Sequence, residues 1–179
     1  MFLGHFAAAM AAKRVAPTVS LGWLFAAWGG ALALLYSLHS HSLHSLRVRR
    51  RGGALVIATL VVSHWLLDWI THRPDLPLSP ATSPKVGLGL WNSVPATLLV
   101  EGVIFVVGVW MYSTATTARD RIGRWAWRAL VVFLVVTHAT NLFAPPPTTM
   151  TAVAVGSLAI SLLVWWGAWA DRRRVVLQR

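Results

Sequence analysis

His64, Asp68 and His72 recur at intervals of four residues. On a helix that spacing drifts by only about 80° in total, so the three side chains form one stripe. A straight helix separates its two ends by about 12 Å, too far for one ion to join His64 to His72. His64 with Asp68, or Asp68 with His72, can instead chelate a cation. Pro74 ends the helix, which lets Asp75 fold back toward His72. Two more ionisable groups lie in apolar surroundings further along, Glu101 and His138, with Thr137, Thr140 and Asn141 near the second. Imidazole and carboxylate without sulfur suit Zn, Fe or Mn, and such an ion can activate water for hydrolysis, with Glu101 as an acid–base group. The same groups can also satisfy one another: Asp68 with Arg73 or a histidine, Glu101 protonated between helices, His138 on a backbone carbonyl. A third use, a haem or pigment held between His64 and His138, rests only on their similar depth.

The elements that must carry these side chains are apolar. Hydrophobic residues make up 56% of the 179 and charged residues 12%, about half the usual share. That excludes disorder and argues against an ordinary soluble enzyme. The absence of cysteine excludes disulfides, thiolate metal sites, iron–sulfur clusters and a cysteine nucleophile. Five stretches reach the length needed to cross about 30 Å of hydrocarbon: residues 20–38, 53–70, 91–112, 127–143 and 151–170. In lipid all must be helices. The expectation is therefore an all-α, polytopic transmembrane helical bundle, a single integral membrane domain over residues 1–179. Residues 2–12 are apolar but too short to span, which predicts a short helix, interfacial or re-entrant. A signal peptide is disfavoured because no basic region precedes it.

The net charge of +11 is explained by position. In and around the connections between the five spans and in the tail stand four, two, four (Arg128 just inside the fourth span), none and four Lys+Arg in turn, the positive-inside pattern, with the C-terminus in the cytoplasm of a bacterial inner membrane. On that count the first span begins outside, which sets Lys13 and Arg14 on the minority side. Most of the eleven tryptophans lie near span ends, as aromatic belts do. Anionic headgroups on the cytoplasmic side are the expected partners of the arginines, and no nucleic acid is needed to explain them. The histidine-rich run at residues 39–45 adjoins Arg47, Arg49, Arg50 and Arg51, whose repulsion disfavours a cation there. The proline-rich link after Thr71 is expected to be extended. Gly87-Leu88-Gly89 lacks the third glycine and the strand of a dinucleotide loop, and no G-x-S-x-G is present.

The stretch Ser63-His64-Trp65-Leu66-Leu67-Asp68-Trp69-Ile70-Thr71-His72-Arg73-Pro74-Asp75-Leu76-Pro77-Leu78 resembles bacterial inner-membrane proteins of the membrane-bound metal-dependent hydrolase family, the one with a LexA-regulated member. Gly4-His5, Gly87 to Ser93 and Val100-Glu101-Gly102 are similar to relatives as well. The resemblance implies His5, His64 and Asp68 as metal ligands, with His72 and Asp75 close by. It departs from the family where a Pro-Asp motif is expected after the first long apolar segment, because Trp23 to Tyr36 contains no acid. His41-Ser42-Leu43 repeats the letters of a second motif at the wrong end of its helix. These departures support an alternative, a non-catalytic accessory subunit packed against other subunits of a larger membrane complex, energy-converting or pigment-binding.

Overall fold

The computed structural model describes residues 2–26, 47–77, 84–144 and 149–177. The histidine-rich run at residues 39–45, most of the expected first span and the prolines at 145–147 lie outside the described residues. Among the described residues the chain is mostly helical. In order come α1 (Phe2–Ala12), α2 (Leu21–Ala26), α3 (Arg47–Thr71), a 3-10 turn at Leu90–Asn92, α4 (Val94–Ala115), α5 (Arg121–Phe143) and α6 (Met150–Arg172).

Among the described residues, helix α1 lies at the centre of the packing. Alanine-rich and without a polar stripe, its sequence suits burial on all sides, and Leu3, Phe6, Ala7, Ala9 and Met10 are all buried. It packs most extensively on α4, where Gly108 permits the contact: a Cβ there would lie 2.6 Å from the Ala7 Cα. Phe6 meets Phe25 of α2 edge to face at 4.9 Å, and α3 and α5 close the remaining sides. The short helix expected here is present, and rather than lying free at one side it is packed among the other helices.

Helix α4 starts at Ser93, whose hydroxyl accepts from the Ala96 N–H, with Pro95 in the first turn where its missing donor costs nothing. Thr97, Glu101, Phe105, Gly108 and Tyr112 form its buried stripe at helical spacing. The other face exposes Leu98, Leu99, Val103, Val106, Val107 and Trp110. Helix α5 is capped by Asp120 and buries Gly123, Trp127, Leu130, Leu134 and His138, while Val132, Phe133, Val135 and Val136 stay exposed. Helices α4 and α5 are both long and apolar enough to cross a bilayer, yet only 22% and 28% of their most apolar windows are buried. A core helix of a soluble domain would be mostly covered by its own chain, so most of this apolar surface lacks protein against it. Among the described residues α4 and α5 are the two helices long and apolar enough, so five spans are not shown: the expected second span falls on α3, whose apolar portion, Leu55–Thr71, is shorter, and the expected fifth falls on α6.

Two short ribbons depart from a purely helical expectation. β1 (Leu76–Pro77) pairs antiparallel with β2 (Lys85–Val86), so the described part of the proline-rich link is extended as expected. β3 (Thr116–Ala118) pairs with β4 (Arg174–Val176), tying the end of α4 to the segment after α6. β-branched Thr116 and Thr117 favour that extended exit.

The ends of the bundle correct the expected placement of Lys13 and Arg14. Lys13 Nζ lies 2.7 Å from Asp171 Oδ2 at the end of α6, and Arg14 donates to Thr114 at the end of α4. The Leu21 N–H donates to the same Asp171 oxygen, so α2 also begins at this end. Arg119, Arg121, Arg124, Arg172 and Arg173 lie on the adjoining segments. The first two basic residues therefore stand with the arginine clusters, and the helix after them starts there as well.

Candidate metal centre

Helix α3 sets His64 and Asp68 one turn apart on its inward side, and His64 Nε2 lies 3.2 Å from Asp68 Oδ2. Helix α1 brings His5 against them: its Nε2 lies 3.5 Å from the other carboxylate oxygen of Asp68 and 3.4 Å from the His64 carbonyl. The two imidazole rings have centroids 4.2 Å apart. One ligand atom from each of the three residues falls within 4.8 Å of the others, so the cluster can hold a metal ion. Ligands at 2.0–2.2 Å around a tetrahedral ion are about 3.4 Å from each other. The two nitrogen–oxygen separations are near that value, each to a different oxygen of Asp68, so the carboxylate stands between the two imidazoles. Two imidazoles and one carboxylate leave a fourth tetrahedral position open, the composition of catalytic rather than structural zinc sites. His5 is almost fully enclosed, whereas the His64 and Asp68 side chains are 31% and 18% exposed. The site thus has a covered side and an accessible one.

His72 and Asp75 go elsewhere. Helix α3 ends at Thr71, whose hydroxyl turns back to the carbonyls of Leu67 and Asp68. Beyond it, His72 Nδ1 lies 3.1 Å from Asp75 Oδ1, and its ring sits against Trp91 at 4.5 Å. Gly87 to Gly89 close this end: the Leu88 and Gly89 N–H groups donate to the carbonyls of Trp69 and His72. Gly89 has φ 74°, a conformation that favours glycine. The glycines here terminate a helix. Arg73 donates from Nε to Asn92 Oδ1 at 2.7 Å, and the carboxylate of Asp68 faces the histidines.

Glu101 and His138 form a second pair. Glu101 is 1% exposed, and its Oε2 accepts from the Leu3 N–H at 2.8 Å, with His138 Nδ1 3.9 Å away. The carboxylate thereby satisfies one of the open donors at the start of α1, where the helix dipole favours negative charge. Phe2 stacks on His138 with centroids 6.3 Å apart, and His138 Nε2 is buried without a hydrogen-bond partner among the described residues. His64 and His138 thus belong to different clusters.

A third polar cluster has no counterpart in the sequence reading. Asp171 accepts from Lys13, from the Leu21 N–H and, at 2.7 Å, from the Tyr112 hydroxyl; Lys13 also donates to the Val19 carbonyl. Arg174 lies over the rings of Tyr112 and Trp127 and donates to Thr116. The available signal was a charged residue at each of two apolar segment ends, which does not identify partners 158 residues apart. His5 carries a similarly weak signal, a lone histidine in an alanine-rich helix.

Comparison of the chain with models of known families, with characterised proteins and with solved structures finds no match.

Proposed function

We propose that this protein is a multi-pass membrane protein with about five spans and that it acts as a metal-dependent hydrolase. The observation that carries the catalytic reading is the convergence of His5 with His64 and Asp68 from helices remote in sequence, at separations suited to ligands of one small divalent cation. Zn, Fe and Mn all accept this donor set. When bound, the ion supplies Lewis-acid activation of water. The rest of the work belongs to the chain. Helix α3 fixes His64 and Asp68 relative to each other, and α1 supplies His5 from the covered side. The partly exposed edges of His64 and Asp68 leave room for a reacting group. Glu101 holds the start of α1 and so places His5.

The membrane reading is supported by the apolar, uncovered faces of α4 and α5 and by the basic residues gathered at one end. That end is assigned to the cytoplasm of a bacterial inner membrane, beside anionic headgroups. The test is metal content by mass spectrometry on detergent-purified protein, beside Asp68→Asn and His5→Gln. About one Zn, Fe or Mn per chain is expected in the parent protein and a large loss in both variants. Absence of stoichiometric metal from the parent protein removes the hydrolase reading.

A further inference from the structure

We infer that Arg14, Trp110 and Thr114 form a binding site for one anionic phospholipid, whose headgroup phosphate meets the Arg14 guanidinium and whose acyl chain lies along α4. This rests on the membrane reading, independently of the hydrolase one, and replaces a general attraction to headgroups by a discrete site. Arg14 is held from α4. One Nη donates to the Thr114 hydroxyl at 2.8 Å, and that hydroxyl in turn donates to the Trp110 carbonyl at 2.8 Å. The guanidinium carbon also lies 5.3 Å from the centre of the Trp110 ring. A guanidinium has more N–H donors than Thr114 engages. Among the described residues no carboxylate lies within ion-pair distance of Arg14, because the acidic side chains pair with other groups. A fixed cation with donors to spare is short of an anion, and phosphate matches its planar fork.

The second observation is the surface that leads away from Trp110. Leu99, Val103, Val106 and Trp110 are 68%, 56%, 66% and 57% exposed. Their spacing keeps them within about 60° of one another around the helix. They stand opposite the buried stripe of Thr97, Glu101, Phe105, Gly108 and Tyr112. At 1.5 Å per residue the exposed stripe is about 16 Å long, close to half of a hydrocarbon core about 30 Å thick. That is the depth of one leaflet's acyl chains. Trp110 stands at its end, as an interfacial indole does, and Arg14 stands over Trp110, where the phosphate of that lipid lies. A free phosphate uses the cation and leaves the stripe uncovered. A second copy of the chain fits less well, because helices in membranes close on small residues and these are large. Two chains sharing the stripe in the same orientation would also bring their Arg14 charges toward each other.

The experiment is native mass spectrometry of the full chain, extracted in mild detergent and titrated with phosphatidylglycerol or with phosphatidylethanolamine of the same acyl chains. The parent protein is expected to retain one phosphatidylglycerol with about tenfold preference. Arg14→Gln is expected to abolish that preference, whereas Trp110→Ala weakens both lipids and keeps it. Arg121→Gln, at an exposed arginine outside the site, is expected to change neither. A parent protein without preference for phosphatidylglycerol overturns the inference whatever the variants do, and so does a preference that survives in folded Arg14→Gln. Either result, in a protein that needs detergent, leaves the membrane reading standing. Displacement of phosphatidylglycerol by an equal concentration of inorganic phosphate shows a free-anion site and overturns the lipid as occupant. A dimer that Val103→Asn dissociates assigns the stripe to a second copy and overturns it as well. Recovery of the chain in the aqueous fraction without detergent removes the membrane reading and this inference with it.

Discussion

Lys13 and Asp171 form a buried pair that is costly for the fold to lose. Both side chains are less than a tenth exposed, and the carboxylate also serves Tyr112 and the start of α2. Removing one member of a buried pair leaves the other charge without compensation, at about 3–5 kcal/mol. Lys13→Met should therefore lower stability by about that much, read from unfolding in mixed micelles. Lys13→Met/Asp171→Asn should recover most of it, because asparagine still accepts hydrogen bonds and carries no charge. Equal destabilisation by the single and double variants would show that the ion pair is not the cause. Glu101 is tested in the same way. If it acts as the acceptor for α1, Glu101→Gln keeps zinc binding while Glu101→Leu weakens it, because only leucine leaves the Leu3 N–H without its partner. An acid–base role predicts instead that glutamine abolishes turnover.

At the scale of elements, the contact between α1 and α4 decides whether His5 reaches its partners. A side chain at Gly108 must displace the Ala7 backbone. Gly108→Val should destabilise by about 1–3 kcal/mol and reduce zinc affinity although it touches no ligand. Unchanged zinc affinity in a folded variant would show that α1 does not position the site. Helix α5 makes a separate prediction at its cap. Hydrogen bonds from the Gly123 N–H and then from Arg173 hold the exposed Asp120 carboxyl below the usual aspartate range. A carboxyl depressed in the folded state contributes stability above its unfolded value, near 3.9, and that contribution fades as pH falls through the folded value. Asp120→Asn should thus lose stability at neutral pH and show a shallower fall as pH drops below the unfolded value, followed by thermal unfolding across that range. These elements also mark how far sequence reading reached. The i, i+4 spacing of His64 and Asp68 made that half of the site legible, and long apolar runs made the helices legible. His72 fell outside because Thr71 and the Gly87 to Gly89 segment end the helix one residue before it, which periodicity alone does not register. The placement of α1 was not legible either, since a short apolar run reads alike whether it rests on a membrane or fills a bundle.

For the whole molecule, the charges follow one plan. The chain has five acidic residues, and each is within ion-pair distance of a basic group or histidine: Asp68, Asp75, Glu101, Asp120 and Asp171. Two of these pairs fix the arginine-rich end, Lys13 with Asp171 and Arg173 with Asp120. The positive surplus remains mainly at that end, where anionic headgroups can balance it. The positive-inside bias then makes a prediction that depends on the corrected position of α1. Because the chain has no cysteine, single cysteines report cleanly. Val15 is 74% exposed, and Thr117 and Pro84 are exposed too. In intact cells, Pro84→Cys should react with an impermeant maleimide, whereas Val15→Cys and Thr117→Cys should react only after the inner membrane is opened. Reaction of Val15→Cys together with Pro84→Cys would return Lys13 and Arg14 to the outer side and contradict the pairing with Asp171. Reaction of all three from the same side would remove the multi-pass arrangement, because β3 and the ribbon at Lys85 lie at opposite ends of α4.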